Sequence, residues 1–258
     1  MFYKSDVDIV ILQEVFDTDI FEWLTLVCAT MYDMYSDHHQ ISLPKLYNHG
    51  VVHLIHKRRS HQFDEIKIDT IYFGTNKIIQ SIPDLVQREA LVIGFTFLNQ
   101  RWMVIGVHLS PTFGKGRQSV EIYHDSVYQE VKNIRNIQLQ EILSYMTSMT
   151  PDNVIIAGDF NINYLVDNEF NDIWKHSLKS IENHMINVSK TYRGSRIHSH
   201  VHENDHRKAH HNILYQEETL DYIFSLPYLK IKKINTLTEI TFSDHYPLLC
   251  CFELDSTN

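Results

Sequence analysis

Cysteine is nearly absent: three in 258 residues leave no disulfide framework. They are Cys28, Cys250 and Cys251, and the last two are neighbours that point to opposite faces of a strand. A reducing, intracellular setting is the expectation. Glycine is scarce as well, with eight residues, while aromatics reach 12%. That balance argues against a disordered or fibrous chain. No apolar run reaches the roughly 20 residues of a membrane span. The apolar stretch from Val7 to Leu12 is short and interrupted by Asp8, so it does not read as a signal peptide. Positive charge is not in excess either. A net charge of −9 disfavours a general nucleic-acid coat protein.

What is present is 43% hydrophobic content, enough to bury a full core as one large domain. Val7–Phe16 reads as a strand. Asp19 offers an N-cap for a helix whose Ile20, Trp23, Leu24, Val27 and Met31 recur at helical spacing to about Met34. Val51–His56 and Glu65–Phe73 read as strands, and Leu91–Leu98 and Arg101–Leu109 flank a two-residue turn at Asn99-Gln100. Gln118–Met149 carries a long helical pattern that Thr150-Pro151-Asp152 stops. Strand Val154–Ala157 follows, then a helix around Asn168–Leu178 and an irregular stretch over 183–218. Leu220–Leu226, Lys230–Leu237 and Leu248–Leu254 close the chain as strands. No repeat and no linker interrupts the order. Strand pairs with helices between them suggest two packed sheets flanked by helices.

Polar residues gather at the ends of the apolar strands. Gly158-Asp159-Phe160-Asn161 follows Val154-Ile155-Ile156-Ala157. Residues two apart on an extended strand point the same way, so Asp159 and Asn161 can meet one water or one phosphate oxygen; the alternative is a strand-ending Asx turn. Glu14 follows Leu12-Gln13, either as a solvated strand end or as a ligand for a hard cation. Asp221 stands in the apolar run Leu220-Asp221-Tyr222-Ile223-Phe224 and needs a partner if buried. His245, in Ser243-Asp244-His245, is the natural one: a carboxylate that orients an imidazole prepares a general base. His108 ends Val104-Ile105-Gly106-Val107 as a donor to a phosphoryl oxygen or leaving group.

Five stretches in this order resemble the endonuclease/exonuclease/phosphatase superfamily, in particular its deoxyribonuclease I, neutral sphingomyelinase and tyrosyl-DNA phosphodiesterase 2 branches. They are Leu12-Gln13-Glu14-Val15, Gly106-Val107-His108-Leu109, Gly158-Asp159-Phe160-Asn161, Leu220-Asp221-Tyr222-Ile223-Phe224 and Ser243-Asp244-His245. Arg135 and Gln138 also look like the helix that precedes the Gly-Asp-x-Asn strand in that family. The resemblance implies an α+β fold, a four-layer α/β/β/α sandwich of two mixed, mostly antiparallel sheets. It implies a Mg²⁺-dependent phosphoesterase, with Mn²⁺ as a substitute, in which Glu14 and Asp244 meet the metal. Asp159 and Asn161 then position the water and the phosphate. Asp221 orients His245, the base, and His108 assists. One departure stands out: the family brings an asparagine to the site on a first strand, yet only thirteen residues precede Glu14 and none is asparagine. Either residues 1–258 are one domain truncated at its N-terminus, or the protein lacks that strand.

The substrate class stays open at this level between nucleic acid and a phospholipid head group. Segment 190–211 holds Lys190, Arg193, Arg196, Arg207 and Lys208 against Glu203 and Asp205. Tyr192, Arg193 and Arg196 there are the substrate-binding candidates. Lys57-Arg58-Arg59 is a second basic spot. His198, His200, His202, His206, His210 and His211 would suit Zn²⁺ or, as a flexible loop, the substrate. Ile71-Tyr72-Phe73 is a candidate apolar surface for a membrane. The overall expectation is a soluble, monomeric enzyme of cytoplasm or nucleus, and the alternative is a catalytically inactive binding protein on the same fold.

Overall fold

A computed structural model describes residues 7–36, 50–75, 88–110, 126–161, 186–187, 220–226, 229–240 and 245–254. Its largest sheet has six strands in the order β4-β5-β6-β7-β9-β8: β4 (Asp64–Tyr72), β5 (Glu89–Phe97), β6 (Gln100–His108), β7 (Asn153–Asp159), β9 (Asp221–Ser225) and β8 (Ile186–Asn187). Only β6 and β7 run parallel; the other pairs are antiparallel. Strands β5 and β6 are apolar at successive positions because both faces are covered. One face packs Val92, Ile105, Val107, Val154 and Ile156 against Leu139, Ile142 and Met146 of the long helix α3 (Ser126–Met149). The other face sets Ile93, Phe95, Trp102 and Val104 against a second strand layer. Each such side chain contributes about 1.5–3 kcal/mol on burial.

The second layer comes in two pieces. One is β1 (Ile9–Leu12), β3 (Val52–His56) and β2 (Tyr32–Tyr35), in the order β1-β3-β2. The other is the pair β10 (Lys230–Thr236) and β11 (Leu248–Glu253), which sits on Ile155, Ala157 and Ile223 of the large sheet. Helix α1 (Thr18–Cys28) covers the outer face of β1 and β3 with Phe21, Leu24 and Cys28 at helical spacing. The layers are therefore α1, split sheet, six-stranded sheet and α3, the α/β/β/α sandwich expected. A short helix, α2 (Lys57–Ser60), carries the basic spot, and Arg59 pairs with Asp8 at 2.8 Å. Among the described residues no helix is long and apolar enough to cross a membrane.

Several boundaries differ from expectation for physical reasons. The first helix is capped by Asp17, whose carboxylate accepts from the Asp19 N–H at 2.7 Å, and it stops at Cys28. Residues through Met34 leave the helical period because Tyr32–Tyr35 pairs antiparallel with β3; cross-strand burial outweighs local propensity. The hairpin turn is Leu98-Asn99, both left-handed at φ 54° and 58°, and Gln100 already pairs with Phe97. Ile71 and Phe73 are core residues and Tyr72 alone of that trio faces solvent, so they form no apolar surface. Among the described residues, exposed apolar side chains on α1 are Ile20, Trp23 and Leu26. The strand from Val7 to Phe16 shortens to Ile9–Leu12. Among the described residues, β1 has β3 as its one strand neighbour and β11 has β10. Both strands stay half-buried despite their apolar residues.

One buried polar group lies between the layers. His53 of β3 is fully buried, and neither ring nitrogen has a hydrogen-bond partner. It faces Gly106, where a β-carbon would stand 2.2 Å from His53 Nε2. Burial pushes the His53 pKa down to about 3. The unfolded chain, with a histidine pKa near 6.5, takes up the proton first as pH falls. The stability His53 contributes is therefore whole above about pH 6.5 and is lost on the way to about pH 3. Between neutral pH and pH 4, His53→Leu should lose roughly 3 kcal/mol less than the parent in urea unfolding; parallel pH profiles for the two proteins would refute it.

Candidate active site

Register places the acidic residues. In the parallel pair β6–β7, His108 stands beside Asp159; in the antiparallel pair β7–β9, Asp159 stands beside Asp221. Neighbouring residues across strands share a face, so three strand ends deliver His108, Asp159 and Asp221 in one row between the layers. Gly158 permits this close approach of the strands. Its φ is 138°, and a β-carbon there would meet Val107 O at 2.1 Å and Gln13 Nε2 at 3.1 Å. The second layer brings Glu14 beyond β1 and His245 ahead of β11.

Asp159 and Asn161 meet, but not through strand alternation. Strand β7 ends at Asp159, and Asn161 is left-handed at φ 53°. The Asn161 N–H donates to Asp159 Oδ1 at 2.7 Å, which is an Asx turn. The Asn161 side-chain amide donates to Asp159 Oδ2 at 3.2 Å and to Leu109 O at 2.9 Å. The turn and the site are thus one structure. Burial and the Asp221 carboxylate raise the Asp159 pKa far above the usual carboxylate range, against the pull of His245, the Asn161 N–H and Arg88.

His245 Nδ1 lies 2.7 Å from Asp221 Oδ2. His108 is 2% exposed. Its Nε2 faces Asp159 Oδ2 at 3.5 Å and Glu14 Oε1 at 4.0 Å. Burial, then the Arg88 cation and His245, hold the His108 pKa well below its ordinary value. Glu14 is left-handed at φ 61°, and its carboxylate is exposed.

Sequence reasoning missed Arg88. This buried residue precedes β5 and approaches His108 Nδ1 at 3.0 Å through Nη1. Its Cζ lies 5.4 Å from the centre of the Phe16 ring. Burial lowers its pKa to about 10, opposed by Asp159 and Glu14, and it stays charged. The available signal was a charged pair, Arg88-Glu89, at the mouth of the apolar strand Ala90–Phe97. Arg135 and Gln138 act from α3 instead. Gln138 Oε1 accepts the Ser110 N–H at 3.2 Å, and its Nε2 donates to Ser110 Oγ at 3.0 Å. Arg135 Nη1 reaches Ser110 O at 3.5 Å. Both side chains are fully buried and pin the chain two residues beyond His108.

Asp244, Tyr192, Arg193, Arg196, the helix expected around Asn168–Leu178 and the histidines of segment 198–211 lie outside the described residues. Among the described residues no three His, Cys, Asp or Glu side chains converge tightly enough to hold an ion. The exposed Glu14 carboxylate is an oxygen donor of the kind that suits Mg²⁺, which takes one or two carboxylates and keeps several waters.

No protein-family model matches this sequence, and no curated protein matches it. Solved structures do. The chain superposes on an endonuclease/exonuclease/phosphatase from Bacteroides vulgatus with a TM-score of 0.64 at 19% identity, covering 97% of this chain and 86% of that one. It matches D. rerio TDP2 complexed with single strand DNA product at 0.61 and 17%, covering 96% and 86%. It matches a beta toxin from Staphylococcus aureus at 0.62 and 19%, covering 97% and 88%. The chain has the endonuclease/exonuclease/phosphatase fold.

The clamp on Ser110 is testable. Gln138→Leu keeps volume but strips the Ser110 N–H and hydroxyl of their partner, and should cost about 2–3 kcal/mol. Faster hydrogen exchange at the Ser110 amide and a lower denaturation midpoint are expected; unchanged exchange would show that Gln138 does not hold the loop.

Proposed function

We propose that this chain is a metal-dependent phosphodiester hydrolase. The observation that carries the reading is the His245–Asp221 pair at 2.7 Å beside the buried His108–Asp159–Asn161 cluster, on a fold shared with D. rerio TDP2 and the endonuclease/exonuclease/phosphatase of Bacteroides vulgatus. Asp221 accepts from His245 Nδ1 and stabilises the imidazolium that forms when the ring takes a proton from the attacking water. Asp159 and Asn161, locked together by the turn, position that water and a phosphate oxygen. His108 donates towards the phosphoryl group, and Arg88 lends positive charge where negative charge develops. Glu14 and Asp244 are the residues that would hold Mg²⁺ or Mn²⁺. When bound, the metal supplies charge neutralisation and a more acidic water. The substrate would be a nucleic acid or a phospholipid head group, with Tyr192, Arg193 and Arg196 against it, handled by a soluble intracellular monomer.

A second reading is supported by a specific observation. Among the described residues β1 pairs with β3 alone and β11 with β10 alone, so the layer that carries Glu14 and His245 is less completely paired than the six-stranded sheet. A catalytically inactive binding protein on this fold would have the same geometry. Turnover separates the two. Hydrolysis of bis-p-nitrophenyl phosphate with Mg²⁺ should vanish in EDTA and fall by about 10²–10⁴-fold in His245→Ala. A folded parent protein with no turnover on this ester, on single-stranded DNA or on sphingomyelin would favour the binding protein.

A further inference from the structure

The two site histidines receive opposite partners, and the difference is chemical. His245 Nδ1 meets a carboxylate, Asp221 Oδ2, at 2.7 Å. An ionised carboxylate only accepts, so Nδ1 carries the proton and the lone pair sits on Nε2. His108 Nδ1 meets a guanidinium, Arg88 Nη1, at 3.0 Å. A guanidinium only donates and keeps its charge in proteins. Nδ1 of His108 must therefore hold the lone pair, and the proton of the neutral ring lies on Nε2. That N–H faces Asp159 Oδ2 at 3.5 Å and Glu14 Oε1 at 4.0 Å, at the mouth of the site.

We propose that Arg88 is a positioning residue that fixes His108 as the Nε2–H tautomer, so that His108 is a standing hydrogen-bond donor and His245 the proton acceptor of the same site. This division rests on the phosphodiesterase reading only for its use; the tautomers themselves follow from the hydrogen-bond polarity. The surroundings hold Arg88 in place. The guanidinium stacks over Phe16, and Phe16 lies against the His108 ring with centroids 6.2 Å apart. Loss of the Arg88 charge would also remove a cation that faces Asp159. A structural role alone would predict lower stability and unchanged tautomers, whereas a positioning role predicts a proton that moves between ring nitrogens.

The test is side-chain ¹H–¹⁵N correlation spectroscopy of the full chain near neutral pH. The chain has 17 histidines, so the His108 signals are assigned by their disappearance in His108→Gln. In the parent, His108 Nδ1 should resonate at the unprotonated end of the imidazole range and Nε2 at the protonated end. Arg88→Lys, still a donor only, should keep that pattern. Arg88→Glu, whose ionised carboxylate only accepts, should put a proton on His108 Nδ1. A parent protein with Nδ1 protonated overturns the proposal, as does an Arg88→Glu spectrum identical to the parent. Should the Glu variant fail to fold, the parent and Lys spectra decide: loss of the Nε2–H signature in Arg88→Lys also refutes it. Tautomers as stated without turnover on any phosphodiester would sink the hydrolase reading and leave the role of Arg88 standing.

Discussion

The structure turns on one constraint: several ionisable side chains lose their water at a single point between two sheets. Asp159, Arg88 and His108 are all nearly inaccessible, and Asp221 is largely covered. Each would be costly to bury alone. Together they satisfy one another as Arg88 to His108, Asn161 to Asp159 and His245 to Asp221. The row formed by His108, Asp159 and Asp221 exists because β6, β7 and β9 are paired in one register. A shift of one residue would turn all three away from the cleft.

The remaining architecture keeps that row in place. Gly158 allows β7 to lie close under Val107 O, and the Asx turn ties Asn161 to Asp159 where the strand ends. Helix α3 does more than cover the sheet. Its buried Arg135 and Gln138 hold Ser110, so the segment that carries His108 is tied to the helix two residues further on. Preorganisation of this kind matters because an electrostatic site works only if its dipoles need not reorganise during reaction.

The facing layer is less complete. Strands β1 and β11 each have one strand neighbour among the described residues, and their apolar side chains are half-exposed. Glu14 and His245 hang from these strands, so the half of the site they supply rests on the less tightly paired part of the sandwich. The half that carries Asp159 and Asp221 rests on the six-stranded sheet.

Much was legible in the residues themselves. Apolar runs with polar ends marked most of the strands of the core, and the isolated Asp221 demanded a partner that His245 provides at 2.7 Å. Local pattern went astray where tertiary contact overrode it: Tyr32–Tyr35 joins β3 rather than extending α1, and the hairpin turns one residue early because its left-handed pair is Leu98-Asn99. Arg88 escaped notice since an arginine before a strand is ordinarily solvated, and only folding brings it to His108, 20 residues away. The sequence alone determined which residue types stand at the strand ends, because alternation and apolarity are local properties of the chain. Which nitrogen each histidine presents was decided by the tertiary structure, because the proton follows the partner and the partner comes from another strand.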